Sequence, residues 1–287
     1  MDFCFITTSH LQANLWFRDD EDYKVGMNYA AITAYALHAD ILAFVLMSNH
    51  VHFVLSEGEV KARQFICDFK QRYSRYFSHK YKVKELLRSN DVDIQQVSPD
   101  NLSLERAIAY TLMNPVAANI CLTAGDYRWG SGGAYFSQTP IVGTPADGLS
   151  ARGRKKLLHS SLEIPPGAVV LNDGFIAPSS FVNVSFVETL FRKPLRLSYF
   201  LQNSSKAKRI LEKNEMLLPV FQDQVLLDAM RDICQSVYSV RSIAQLAPNQ
   251  KVELVKQLKR RFSADVGQLS RVTGVKIDDV EKMLDTI

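Results

Sequence analysis

Sulfur chemistry is scarce in this chain. Its 287 residues include four cysteines, Cys4, Cys67, Cys121 and Cys234, and no two of them form a C-x-x-C pair. That scatter gives no support to a disulfide framework or a cysteine zinc site, and predicts four reduced, packed thiols. Long apolar runs are missing as well. A stretch such as Ile41 to Met47 is far short of the roughly 20 residues a membrane span needs. The opening MDFCFITTSH has no basic region followed by an apolar core, so no signal peptide is read there. Together these absences predict a soluble, cytoplasmic protein with no membrane partner. Charge of one sign is only slightly in excess. A net charge of +4 and a pI near 8.8 permit an anionic partner without requiring one. Internal repeats and long low-complexity tracts are also lacking.

What is present is apolar material for real cores, with 47% hydrophobic residues, enough for one large domain or two to three smaller ones. Phe3 to Thr7 reads as a short strand and Asp20 to Leu37 as a helix. Ile41 to Ser56 reads either as two strands around a tight Ser48-Asn49 turn or as one long strand. Between residues 61 and 88 the chain becomes basic and aromatic. Lys61, Arg63, Lys70, Arg72, Arg75, Lys80, Lys82, Lys84 and Arg88 meet only Asp68 and Glu85. Phe65, Phe69, Tyr73 and Phe77 recur every fourth residue, which predicts a helix with an aromatic core stripe and a solvated basic face. Cations dense along one helix also suit a phosphate backbone, so Lys61, Arg63, Lys70, Arg72 and Arg75 are the candidate DNA-binding residues.

A polar stretch, Ser89 to Asp100, precedes a second helix from about Ser103 to Asn114, with Ser103 as a plausible N-cap and Pro115 as the stop. The order predicts a compact α+β sandwich. Residues 130–150 are rich in Gly, Ser, Thr and Pro, which marks a boundary near 140–150. Beyond it a mainly helical second domain is expected. Residues 248–287 show three short helical patterns broken at Ser263 and Gly274, the punctuation of a helix-turn-helix-like unit. The acidic Asp278, Asp279 and Glu281 make a packing or oligomerisation module the alternative.

Two constellations carry chemistry. In FVLMSNHVHFVL, residues 44–55, His50 and His52 stand at i and i+2 of a strand. Their side chains share a face about 6.5 Å apart, close enough to share a metal ion. An isolated His-x-His more often packs than binds. In the helix before Pro115, Tyr110 and Asn114 stand at i and i+4 with Arg106 one turn earlier, so a nucleophile and a ligand share one face. There too the plain alternative is a packed tyrosine and an asparagine that caps the helix.

Together, LMSNHVHFVL at 46–55, FKQRYSRYFSHKY at 69–81, AYTLMNPVAANI at 109–120 and DYRWGSGGAYF at 126–136 resemble the single-tyrosine HUH transposases, above all the REP-associated tyrosine transposases of insertion sequences. The resemblance covers about the first half of the chain. Departures are Ser48 for the usual proline, Ala117 and Asn119 for the usual Arg and Gly, and no visible Gly/Trp/Arg-containing strand in 82–100. The resemblance implies a ferredoxin-like antiparallel sheet with helices over residues 1–140, the HUH catalytic domain. An accessory helical region would follow over 150–247, and the helix-turn-helix-like unit over 248–287.

It also implies that His50, His52 and Asn114 hold Mg²⁺ or Mn²⁺ and that Tyr110, rather than Tyr73, Tyr76 or Tyr81, attacks a DNA phosphodiester to leave a 5′-phosphotyrosine and a free 3′-OH. Both histidines are then expected to face an open cleft. The implied partner is single-stranded or hairpin DNA of REP-like sequence in a nucleoid-associated protein. A homodimer is one expectation and a monomer the other. Two rivals keep the fold: a domesticated nickase or replication-initiation relative, and a catalytically silent DNA-binding protein in which the histidines only pack.

Overall fold

A computed structural model of the chain describes residues 2–8, 15–83, 91–100, 102–159, 163–204, 223–262 and 264–285. Four strands form its main sheet: β1 (Phe3–Thr8), β2 (Ile41–Met47), β3 (His50–Leu55) and β4 (Val92–Val97). They lie in the order β2-β3-β1-β4 with every neighbouring pair antiparallel. Two helices intervene, α1 (Asp20–Leu37) and α2 (Glu59–Tyr81), so the chain runs β-α-β-β-α-β. This is the α+β organisation that the apolar pattern predicts, and Ser48-Asn49 is indeed a two-residue turn between paired strands, with Met47 opposite His50. β4 falls inside the stretch that the sequence presents as merely polar. It is an edge strand whose side chains are largely exposed, so VDIQQV lacks the apolar content that marks a core strand.

Successive side chains of a strand point to opposite faces, and β3 divides sharply on that rule. Val51, Phe53 and Leu55 face α1 and α2, where the Phe53 ring lies 5.0 Å from Phe65 and 5.5 Å from Phe69. The aromatic stripe of α2, Phe65, Phe69, Tyr73 and Phe77, is fully buried there, as its spacing predicts. His50, His52 and Val54 face the other way. On that side lies α3 (Ser103–Leu112), followed by the short α4 (Asn114–Ala117). Ser103 is the first residue of α3 rather than its cap, a place taken by Leu102 in the left-handed region at φ 61°. The outer edge of β2 is covered too: the Leu46 amide donates to the Trp129 carbonyl, the Ser131 amide to the Phe44 carbonyl, and the Asn183 amide to the Ile41 carbonyl. The segment 126–136 thus closes an edge that would otherwise be open for pairing.

At one end of the α1/α2 layer a buried carboxylate gathers the chain. Asp19 caps α1 by accepting from the Asp22 amide. Asp22 itself, fully buried, accepts from the Arg18 amide, Tyr76, Lys80 and Tyr81 at 2.7–3.0 Å. Burial alone would lower the Lys80 ammonium's pKa, but its bonds to Asp19 and Asp22 outweigh that and hold it above its ordinary value. Three members of the basic, aromatic segment are therefore committed to structure.

The rest of the chain wraps this unit and then adds a second core. α5 (Ala151–Leu158), α6 (Val184–Phe191), α7 (Pro194–Gln202) and a two-stranded ribbon of β5 (Gly143–Pro145) and β6 (Val169–Leu171) bury Leu158, Ile176, Val187, Phe191 and Phe200 in the same core as the sheet. Buried Asn28 of α1 bonds the Leu157 carbonyl and the Ile176 amide, tying these segments down. The expected division near 140–150 is one of composition, and packing runs across it. The second core gathers α8 (Asp223–Ser236), α9 (Pro248–Phe262), α10 (Val266–Thr273) and α11 (Ile277–Asp285), together with Leu15. Gly274, at φ 70°, ends α10 in the left-handed conformation that glycine tolerates best. Ser263, Lys84 and Arg88 lie outside the described residues. Among the described residues no helix is long and apolar enough to cross a membrane.

Asp22→Ala leaves Lys80 and two tyrosine hydroxyls without their shared acceptor and should cost about 3–5 kcal/mol in urea denaturation at neutral pH. Because the folded Lys80 pKa is raised, its contribution is complete below the unfolded lysine value of about 10.4 and is lost as pH rises through the higher folded value. The alkaline decline in stability should accordingly be shallower in Lys80→Met than in the wild type.

Candidate active site

His50 is the first residue of β3 and His52 follows on the same face, opposite Met47 and Val45 of β2. Their ring centroids are 4.8 Å apart and the planes nearly perpendicular, at 88°. Phe5 of β1 stacks on His52 at 5.7 Å. Tyr110 of α3 comes down on both, 6.1 Å from the His52 ring and 5.7 Å from the Phe5 ring, edge-on in each case. A strand-borne histidine pair and a helical tyrosine that stand some sixty residues apart in sequence thus share one site.

The backbone around the pair is fixed by side chains. Thr8, buried at the end of β1, accepts from the Val51 amide at 3.0 Å, between the two histidines. Asn49 Oδ1 lies 2.8 Å from His50 Nδ1. An amide oxygen only accepts, so this bond places the imidazole proton on Nδ1 and the lone pair on Nε2. Neither Thr8 nor Asn49 stands out as a site residue in the sequence. The signal available for Asn49 was its position, immediately before the first histidine in a turn too short to point it elsewhere.

Asn114 is buried one helical turn beyond Tyr110. Its Nδ2 donates to the carbonyls of Tyr110 at 2.9 Å and Thr111 at 3.2 Å, which caps the end of α3. With the nitrogen so engaged, Oδ1 is the side-chain atom available for a further contact. His50 and His52 are 6% and 5% exposed. The expectation of histidines facing an open cleft is corrected: both are buried, with Phe5 and Tyr110 covering His52, while Tyr110 itself is half-exposed.

The other tyrosines of the first half are placed differently. Tyr73 is fully buried and donates to the Trp16 carbonyl, and burial, then the nearby Asp22, push its pKa up. Tyr76 and Tyr81 are likewise raised, by burial first and then by their bonds and proximity to Asp22. A phenol held neutral in this way is a poor nucleophile.

No protein-family model matches the chain, and no curated protein does. Among solved structures, the chain is similar to a REP-associated tyrosine transposase bound to a REP hairpin. The identity is 14%, the match covers 45% of this chain and 76% of that one, and the TM-score is 0.33. Values this low describe a distant structural relationship.

The five candidate DNA-binding cations do not join the histidines and the tyrosine. They lie on α2, which packs on the opposite face of the sheet. Lys61 bonds the His38 carbonyl and pairs with Glu57, and Arg63 pairs with Glu59. Lys70 and Arg72 are half-buried and Arg75 is exposed. Burial lowers the Lys70 pKa, against the opposing influence of Cys67 and Asp91. In the layer that carries Tyr110, exposed cations are Arg106 on α3 and Arg192 and Lys193 where α6 turns into α7. Arg196 of α7 bonds the buried Glu105 of α3 at 3.0 Å. Among the described residues no group of three or more His, Cys, Asp or Glu side chains is placed to hold a metal, so a site here rests on two imidazoles and an amide.

The cover over the histidines can be measured. Diethylpyrocarbonate should modify the exposed His38, His79 and His159 well before His50 and His52, as read by mass spectrometry of tryptic peptides. Tyr110→Ala should raise the reactivity of His52 most.

Proposed function

We propose that this protein cleaves and rejoins single-stranded DNA, with Tyr110 as the nucleophile in a transposase-type strand transfer beside a hairpin. The observation that carries the proposal is the convergence on one face of the sheet of His50 and His52, 4.8 Å apart, with Tyr110 6.1 Å from the His52 ring. The motifs that resemble HUH transposases supply these same three residues.

The donor set suits a divalent ion with open positions. Two imidazoles share a face, one of them held in a single tautomer by Asn49, and Asn114 has its amide nitrogen anchored so that oxygen remains as the donor. Mg²⁺ or Mn²⁺ bound there by His50, His52 and Asn114 would polarise the scissile phosphate as a Lewis acid. The chain's own residues do the rest. Tyr110 Oη attacks phosphorus as the phenol proton passes to water, and the bond to the 3′-oxygen breaks; that oxygen takes a proton from water to give a free 3′-OH, and the phosphate stays on the tyrosine as a 5′-phosphotyrosine. A second 3′-OH reverses the step on a different strand, since the phosphotyrosine ester retains the energy of the diester it replaced. Packing of Tyr110 edge-on against the stacked Phe5 and His52 rings restrains the phenol's approach, where a small misplacement is costly in rate. Half-exposed Tyr110, one helical turn from the exposed cation Arg106, suits an unpaired strand that threads along α3.

Burial of both histidines favours a second reading, a catalytically silent DNA-binding protein on the same fold. The two separate on a covalent bond. With Mn²⁺ and single-stranded DNA from hairpin-flanked genomic repeats, the wild type should give a protein–DNA adduct on denaturing gels, mapped to Tyr110. Tyr110→Phe should keep the fold and DNA affinity and lose the adduct. His50→Ala and His52→Ala should lose Mn²⁺ binding in calorimetry, and Asn49→Ala should weaken it by about 10–100-fold. An adduct mapped to another tyrosine, or none with any repeat strand, would overturn the assignment.

A further inference from the structure

The turn that precedes the histidine pair is held from outside the sheet. Ser48 Oγ donates to Asp223 Oδ2 at 2.8 Å. Asp223 is the first residue of α8 and is 5% exposed. Its carboxylate also accepts from Arg271 of α10, from Nε at 2.9 Å and Nη2 at 3.3 Å. On its other side, the Ser48 carbonyl accepts from the amides of Trp16 at 2.8 Å and Phe17 at 3.1 Å. Leu15, the residue before them, is buried among α8–α11. The hydroxyl of Ser48 is thus tied directly to the second core, while its carbonyl is tied to Trp16 and Phe17 of the first core, next in sequence to Leu15 of the second. A hydrogen bond to a buried, charge-paired carboxylate is stronger and more directional than one between neutral groups.

From Ser48 the path to the site is short. Asn49 is the next residue and makes the bond that sets the His50 tautomer, and His50 is the next again. Both turn residues lie between paired strands, with Met47 opposite His50, so the turn has no spare length to absorb a shift of Ser48. We infer that the C-terminal helical unit is a positioning element for the histidine pair. Through Arg271, Asp223 and Ser48 it fixes the turn that orients Asn49 and His50. Serine matters here for its hydroxyl, since the proline common at this position in the resembled family has no donor to offer Asp223. Coupling of this kind is reciprocal: whatever binds the histidines tightens the docking of α8 and α10 on the turn.

The inference rests on the strand-transfer reading for its use, though its test does not. Ser48→Ala removes one oxygen and leaves the Asp223–Arg271 pair intact, Ser48→Thr keeps the hydroxyl, and Asp223→Asn keeps the shape but removes the charge. In the full-length protein without metal, long-range ¹H–¹⁵N spectra of the imidazoles report the His50 tautomer. Ser48→Ala and Asp223→Asn should each shift the His50 resonances, reduce its Nδ1–H population and leave those of His38 and His159 in place, whereas Ser48→Thr should keep the wild-type His50 spectrum. Mn²⁺ affinity by calorimetry should fall about threefold to tenfold in Ser48→Ala, less than for direct loss of Asn49, and the rise in Tm that Mn²⁺ produces should shrink with it. His50 resonances unchanged in both variants would overturn the inference, with a lowered Tm alone showing that the contact only docks the two cores. A wild type that binds no Mn²⁺ would sink the metal reading, and the metal-free spectra would still decide whether the C-terminal unit positions His50.

Discussion

The two-sidedness of β3 governs the structure. A strand with both faces covered must satisfy two environments from alternating residues, and His50–Leu55 does so with Val51, Phe53 and Leu55 on one side and His50, His52 and Val54 on the other. The first set makes the strand a core element through Phe65 and Phe69 of α2. Its depth in the core is what makes the second set precise, because a strand pinned by aromatic packing behind it holds its forward-facing imidazoles in fixed register. Burying polar rings costs desolvation unless they are bonded, and Asn49 meets that need for His50.

The same logic explains why α2 reads as a nucleic-acid helix and is placed elsewhere. A run of cations and aromatics is compatible with a phosphate-tracking face and equally with an intramolecular network, and sequence spacing does not separate them. Tyr76, Lys80 and Tyr81 go to the buried Asp22, and Lys61 and Arg63 to nearby glutamates. The carboxylate that collects three of these groups lies some fifty-five residues upstream, in a helix with no apparent relation to α2. On the helix that carries Tyr110, the exposed cation is Arg106, one turn before it.

Local pattern carried a good part of the rest. The fourfold spacing of Phe65, Phe69, Tyr73 and Phe77 is a helix's core face because burial and periodicity are one fact seen twice. The i, i+2 histidines follow from strand geometry in the same way. What spacing does not carry is contact order. Ser48 and Asp223 are separated by 175 positions, and nothing around either residue marks the other. Burial of the site was misjudged for a related reason: the cover over His52 is Phe5, supplied by a pairing of β1 with β3 that no local window contains. β4 is only weakly marked in the sequence because an exposed edge strand lacks the apolar content by which strands are recognised.

The segments beyond the sheet therefore matter for what they hold. Tyr110 rides on α3, which α7 braces through Arg196 and the buried Glu105. Truncation of either partner would leave a charge uncompensated beside the helix that carries the phenol. His50 follows a turn braced by α8 and α10 through Asp223 and Arg271. The two halves of the site are thus secured by different later segments, 194–202 and 223–273, each through a carboxylate–arginine pair with its carboxylate buried. A helix and a hairpin turn that meet at ring-contact distance must both be kept still to hold that contact, and one core cannot do that at an edge where strands end and loops begin. Splitting the task lets each brace act on the element that carries its own ring, α3 for Tyr110 and the β2–β3 turn for His50.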